Sequence, residues 1–488
     1  MLAKLEQHRS PLTAAEARRI RHLLIVLPKV EKPAELKGIP HLDALEGALG
    51  RRKKTVSDLR KSPVTTDLPH GALVSWIVDD PERPIFERHT VMRKALQPLL
   101  AEHPATIGIA VFGAADAKAS AAEAAVYVAS VNGARLPERK KKTEGGSLQT
   151  IRVYGHQDGS AYASLRARAE GNVLCRELTV LPPNELTPGS YRQRLRHRAR
   201  QEGWRIREYD MKRLRRMRAG AFVAVAQGSE LEDAAIVHLA YRPRGARKKI
   251  ALVGKGICFD TGGHNLKPAR YMAGMHEDMN GSAVALGILV AASRSKLPVA
   301  IDCWLAIAQN HISPKAYKQN DIVTALNGTT IEIVHTDAEG RMVLSDTLTL
   351  AAREKPDVMI GFATLTGSMH TALGDRYSGI FVTGDDLARE ALSASAAAGE
   401  RVCVFPMDED YDQALDSPVA DVKQCTLEGA ADHILAARLL KRFTEDRPWI
   451  HMDLSGSSCK GGLGAVATDV TGFGVAWGHA FLESLAET

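Results

Sequence analysis

No pair of cysteines in this sequence has CxxC spacing; the six, at positions 175, 258, 303, 403, 425 and 459, stand singly. That argues against a cysteine-held zinc and fits reduced, mostly buried thiols in a cytoplasm. No run approaches the roughly 18 apolar residues of a membrane span. The stretch from Met1 to Arg19 has no apolar core followed by a small-residue cleavage site, so secretion is not expected. Neither sign of charge dominates, with 64 basic against 57 acidic residues and a net charge of +7. Basic clusters occur at 51–54, 139–142, 213–218 and 242–249. No nucleic-acid-binding motif accompanies them, so they read as solvated loops and helix faces, with contact to nucleic acid or an anionic surface as the alternative. What is present is the balance of a soluble globular protein, 45% hydrophobic and 25% charged over 488 residues, long enough for two domains.

Residues 1–158 alternate apolar runs with helical patterns and predict a small α/β domain. His22 to Leu27, Ala72 to Val78, Ile107 to Phe112 and 149–154 read as strands, Arg88 to Glu102 and 119–132 as helices, and 138–146 as a basic loop. No catalytic constellation lies there. An Ala- and Arg-rich helix from about 159 is expected to link the domains over 159–182, and the segment from Val180 to Pro188 stops it. The alternation resumes in 183–488, with a helix at 189–202. Strands are expected near 220–227, 235–241, 249–259, 298–308, 331–336, 357–364 and 449–454, and helices at 281–295, 345–354, 387–398 and 430–443. The fold class is therefore α/β, a mainly parallel sheet flanked by helices plus the smaller N-terminal domain. Such sheets bind ligands at the carboxyl ends of their strands.

Two blocks of residues begin where strands are expected to end. One runs from Val253 through Lys255, Asp260, Gly262-Gly263 and Lys267 to Asp278; the other is His335-Thr336-Asp337-Ala338-Glu339-Gly340-Arg341. Asp260, Asp278, Asp337 and Glu339 would bring four negative charges to one spot, which is unfavourable unless cations sit among them. Two divalent ions would cancel that charge. Asp337 and Glu339, two apart, would point the same way in an extended segment. Oxygen ligands with one lysine nitrogen, and neither histidine nor thiolate, suit Zn²⁺, Mn²⁺ or Co²⁺ in a co-catalytic pair.

These residues resemble the leucyl (cytosol) aminopeptidases, dinuclear metallopeptidases of hexameric α/β fold. Their Asn-Thr-Asp-Ala-Glu-Gly-Arg-Leu signature is matched by His335 to Met342, and a longer glycine-rich stretch by Val253 to Gly263. The resemblance runs from about Asn172 through Thr364 to Gly367, Ala431-Asp432-His433 and Trp449 to Asp453 to the C-terminal end. It implies that Asp260 and Glu339 bridge two metals, that Asp337 completes one site, and that Lys255, as a neutral amine, and Asp278 complete the other. Lys267 would stabilise the oxyanion, and Arg341 would hold a bicarbonate acting as general base. Thr364, Leu365 and Gly367 would shape the substrate wall, while Met275 lines the side-chain pocket or simply packs in the core. The implied activity is release of a neutral, leucine-like first residue from peptides by a cytoplasmic homohexamer.

The chain departs from the family pattern at Cys258, His264-Asn265, His276, Asn280 to Ser282 and His335. The three imidazoles read as packed or solvated side chains, against a lesser reading in which one tunes pH dependence or adds a ligand. Three further readings stay open: a narrow dipeptidase, a DNA-binding architectural role known in some relatives, and an inactive structural oligomer. The last predicts lost metal ligands, and all five are present.

Overall fold

A computed structural model describes residues 2–30, 36–142 and 145–487. Residues 143 and 144 of the basic loop expected at 138–146 lie outside the described residues. The chain packs as two compact units. One comprises Met1–Val173, Ala396–Glu400 and Cys459–Thr471; the other comprises Leu174–Ser395, Arg401–Ser458 and Gly472–Thr488. The helix Gly159–Thr179 runs through the division at Val173.

The N-terminal unit is built on six strands: β1 (Lys4–His8), β2 (His22–Leu27), β3 (Val64–Asp67), β4 (Leu73–Val78), β5 (Thr106–Val111) and β6 (Thr150–Tyr154). They lie in the order β1-β6-β5-β2-β4-β3, parallel except for the β3–β4 pair. β2, β4 and β5 are buried nearly end to end, as unbroken apolar runs in a parallel sheet should be. Leu23, Ile25 and Trp76 share a core with Leu45, Ala48 and Leu49 of the helix Leu42–Arg51. The segment from Cys459 to Thr471 is stitched into this unit by polar bonds. Arg93 donates to the carbonyls of Gly461 at 2.7 Å and Val466 at 3.0 Å. Asn132 donates to Ala465 O at 2.7 Å and accepts from Ala467 N at 2.8 Å.

The second unit holds β7 (Arg205–Asp210), β8 (Ala235–Tyr241), β9 (Lys248–Asp260), β10 (Val299–Asn310), β11 (Ile322–Thr324), β12 (Thr330–Glu332), β13 (Val358–Ala363), β14 (Ser378–Val382), β15 (Val402–Val404), β16 (Val422–Lys423) and β17 (Trp449–Asp453). Eight of them form one sheet in the order β15-β14-β17-β13-β9-β10-β8-β7. The central four, β17, β13, β9 and β10, are mutually parallel, with antiparallel joins to β14 and β8. Their carboxyl ends therefore come to one edge: Asp453 closes β17, Ala363 closes β13, Asp260 closes β9 and Asn310 closes β10. β11, β12 and β16 make a separate small sheet.

Three expectations need correction. The run at 220–227, expected as a strand, is the helix Gly220–Ala226. A short apolar stretch carries no period that separates strand from buried helix; here Asp346, far along the chain, accepts a bond from Phe222 N at 2.8 Å in the first turn. The strand expected at 331–336 ends at Glu332. The helix expected at 345–354 begins earlier, at Glu339, and runs to Arg353. Among the described residues no helix is long and apolar enough to cross a membrane.

Candidate metal centre

Asp260 is the last residue of β9 and is buried. Its Oδ1 accepts from Gly262 N and from Asn310 Nδ2, both at 2.8 Å, and its Oδ2 lies 3.0 Å from Lys267 Nζ. Asp337 stands in a turn, not in an extended strand, with Oδ1 2.5 Å from the same lysine. Glu339 is the first residue of the helix Glu339–Arg353, so the expected extended pairing of Asp337 with Glu339 does not occur. A turn followed by a helix start brings them together instead. Carboxylate oxygens of Asp260, Asp337 and Glu339 all lie within 4.8 Å of one another.

Asp278 arrives from a short 3₁₀ helix, Met275–Met279, that leads into the helix Asn280–Arg294. It meets the cluster through Lys255, buried within β9. Lys255 Nζ is 2.8 Å from Asp278 Oδ1, 2.8 Å from Glu339 Oε1, and donates to the Thr364 carbonyl at 3.0 Å. Thr364, directly after β13, donates its hydroxyl to Asp278 Oδ1 at 2.7 Å. Leu365 N donates to Asp453 at 2.9 Å, and Gly367 opens the helix Gly367–Leu373. Met275 is half-buried at the start of the 3₁₀ turn.

Two glycines admit this crowding. Gly262 has φ +86°, and a Cβ there would stand 2.5 Å from Asn265 O and 2.9 Å from Asp337 Oδ1. A Cβ on Gly340 would lie 2.8 Å from both Cε and Nζ of Lys255.

The electrostatics are unbalanced. Four carboxylates share two ammonium groups, and Asp278 Oδ2 and Glu339 Oε2 are buried without a hydrogen-bond partner. Burial raises the pKa of Glu339, helped by Asp260 and opposed by Lys255; burial also raises Asp278 and Asp337, against the pull of Lys255 and Lys267 respectively. Each raised carboxyl reports a charge the protein does not fully compensate. Burial works against the charge on Lys255, but Asp278, Glu339 and Asp260 outweigh it and hold its ammonium above the ordinary range. Lys267 behaves alike, with Asp260, Glu339 and Asp337 prevailing. A divalent cation would take over the carboxylate charges and remove what keeps Lys255 protonated, so the donor set fits such ions.

Arg341, two residues into the helix from Glu339, is buried and pairs with a different carboxylate. Its two terminal nitrogens engage both carboxylate oxygens of Asp432, at 3.0 and 2.8 Å. The bicarbonate expected at Arg341 thus meets a guanidinium whose two terminal nitrogens already hold a carboxylate of the chain itself.

Several positioning residues carry no motif. Asn310 ties Asp260 to the Thr336 carbonyl, donating to each. Gln424, fully buried, accepts from Val334 N at 2.8 Å and His335 N at 3.0 Å, fixing the loop that carries Asp337. Tyr317 donates to Thr336 O at 2.6 Å. Asn310 at a strand end was a legible signal; Gln424 and Tyr317, brought in from a distance, were not. Among the departures, Asn280 donates to Thr179 Oγ1 at 3.0 Å, and Ser282 lies 3.0 Å from the Tyr191 hydroxyl, so both serve packing. His335 Nδ1 accepts from Asp337 N at 3.2 Å, His276 is half-buried and His264 is exposed.

A model of the cytosol aminopeptidase family's catalytic domain matches residues 173–477. A probable cytosol aminopeptidase of Stutzerimonas stutzeri (strain A1501) is 40% identical over 331 residues, 66% of each chain. That of Wolbachia pipientis wMel is 38% identical over 319 residues, 64% of each. The match thus spans just under two thirds of those relatives' length. Among solved structures, the bottromycin maturation enzyme BotP in complex with Mn superposes with a TM-score of 0.81 at 29% identity, covering 95% of this chain and 99% of that one.

Proposed function

This chain belongs to the cytosol aminopeptidase family, and we propose that it hydrolyses the first, neutral or apolar, residue from peptides with the help of two divalent metal ions. One observation carries the reading: oxygens of Asp260, Asp337 and Glu339 gathered within 4.8 Å, with buried oxygens of Glu339 and Asp278 left unpartnered. Such a concentration of carboxylate is tolerable only with cations to balance it.

In this reading Asp260, Glu339, Asp337, Asp278 and, as a neutral amine, Lys255 would hold the two ions, Asp337 serving one and Lys255 with Asp278 the other. Ions bound there would supply an acidified water and polarise the scissile carbonyl. Zinc, manganese and cobalt all suit the donors, and the manganese in BotP is said of that protein. Lys267, relieved of its carboxylate partners by the ions, presents its ammonium to the oxyanion that develops on the substrate. Thr364 keeps Asp278 in place through its hydroxyl and Lys255 through its carbonyl, so the backbone after β13 can form one wall of the substrate cleft with Leu365 and Gly367. Met275 bounds the pocket for the first side chain. No step is assigned to bicarbonate, because Asp432 fills the Arg341 fork. The same reading includes assembly as a homohexamer in the cytoplasm, which light scattering addresses.

Nucleic-acid binding is not adopted. Within the basic clusters, Arg215 pairs with Glu232 and Arg242 with Asp302, which spends cationic charge on the protein's own carboxylates.

The test is hydrolysis of leucine amide and a peptide panel after chelation and re-addition of Mn²⁺ or Zn²⁺, with Asp337→Ala beside the parent. Metal-restored turnover, lost in the variant and blocked by N-acetylation of the substrate, is expected. Turnover that survives full metal removal would sink the reading.

A further inference from the structure

Arg341 sits in the second sequence block and is 2% exposed, so its surroundings are fixed by the fold. Its Nη1 donates to Asp432 Oδ1 at 3.0 Å and its Nη2 to Asp432 Oδ2 at 2.8 Å, a two-point fork. Nη1 also donates to the Gln424 carbonyl at 3.0 Å. Nε is left without a partner, and Nη2 makes one bond for its two hydrogens. Bicarbonate presents the same O–C–O edge as a side-chain carboxylate and needs the same parallel pair of N–H groups. With Asp432 in place, three of the five guanidinium N–H groups are spent, and a bicarbonate on the remaining Nε and Nη2 hydrogens would have a like charge beside it and a cation already neutralised.

The position of Asp432 is itself well determined. It is the first residue of the helix Asp432–Lys441, where a negative charge is favoured by the exposed N–H groups of the first turn. Ala431 before it has φ 52°, a left-handed conformation that a non-glycine residue adopts only against strain. His433 after it donates its N–H to Ser368 Oγ at 2.9 Å, with its Nδ1 3.0 Å from the same oxygen. The segment that carries the carboxylate is thus held on both sides of Asp432.

We propose that Asp432 is the resident anion of Arg341: this chain carries in its own sequence the carboxylate that the guanidinium would otherwise take from solution. It therefore neither binds bicarbonate at Arg341 nor depends on it for turnover. The second half of that statement rests on the aminopeptidase reading; the first does not. Asp432 acts through Arg341 and is a positioning residue.

The experiment uses the full-length, metal-loaded protein in CO₂-free buffer, titrated with bicarbonate and followed by melting temperature and by kcat on leucine amide. The parent should show no melting shift and less than about twofold change in kcat. Asp432→Ala should gain a saturable melting shift that disappears when Arg341→Ala is added. Its kcat, at least about tenfold low without bicarbonate, should recover on addition. Asp432→Asn, which keeps the side-chain shape but not the charge, should shift in the same direction and less. A parent that is itself stabilised by bicarbonate, or that loses turnover without it, overturns the proposal. So does a freed fork that binds nothing in both variants. Should Asp432→Ala fail to fold, the parent and the asparagine variant decide. Absence of hydrolysis in every protein would count against the aminopeptidase reading, while the melting shifts would still report the fork.

Discussion

Asp79 and Arg88, both sealed inside the N-terminal unit, meet through two bonds of 2.9 and 2.6 Å, and Ser120 takes a further guanidinium hydrogen. The other unit sets four carboxylates, three of them buried, against two lysines and leaves the buried Asp278 Oδ2 and Glu339 Oε2 without partners. Both arrangements bury charge, the first in both partners and the second in three of its four carboxylates. In the first every charge is answered, so the pair fixes the packing of the helix Ile85–Ala101 and asks for nothing more. In the second the shortfall is built in, and only something from outside can make it up. A deficit of charge, more than a cluster of polar residues, separates a site from a scaffold.

That contrast can be broken by substitution. The largest effect is expected for Glu339→Gln, which should abolish metal-dependent hydrolysis, by about 1000-fold or more. In metal-free protein the same change should raise the melting temperature, by about 2–4 °C, because one uncompensated buried charge is gone. A lower melting temperature for the metal-free variant would contradict the deficit. Next comes Asp79→Ala, which strands Arg88 and should cost about 3–5 kcal/mol in denaturant unfolding. Its turnover per folded molecule should match the parent, and a drop there would mean the N-terminal unit is more than scaffold. Gln424→Ala removes the acceptor that fixes the Val334–His335 backbone. It should weaken apparent Mn²⁺ affinity by about 10- to 100-fold with little change in kcat at saturating metal, as read from metal titrations of activity. The smallest effect belongs to His335→Asn. An asparagine oxygen can accept from Asp337 N as Nδ1 now does, so turnover should stay within about threefold. Loss of bound metal in that variant would instead make His335 part of the centre.

Much of this was legible beforehand, for a physical reason. Strand ends in a parallel sheet are announced by a buried apolar run that stops, and Lys255 to Asp260 and Val358 to Thr364 both read that way. The carboxylates follow such ends, so their convergence could be reasoned from the chain. The path between Asp337 and Glu339 could not: a turn and a helix start at Glu339 use residues that an extended segment would tolerate equally well. The helix Gly220–Ala226 was misread because its first turn is held by Asp346, more than a hundred positions away. Arg341 showed its importance in the sequence but not its partner. Asp432 stood in a quoted stretch, yet only the fold reveals that the two face each other.

The N-terminal unit includes thirteen residues, Cys459–Thr471, that the ribosome reaches long after Val173. Between Val173 and Thr471 synthesis adds about 300 residues, roughly 15–60 s at 5–20 residues per second. Throughout that interval Arg93 and Asn132 lack the carbonyls they bind in the finished protein. The unit begun before the other is therefore completed only after most of the other has been made. A chain stopped at residue 173 should emerge as an unfinished domain, exposed to proteases and chaperones, rather than as a separable module. For anyone wishing to graft or exchange domains in this protein, the seam is written in two stretches of sequence about 300 residues apart.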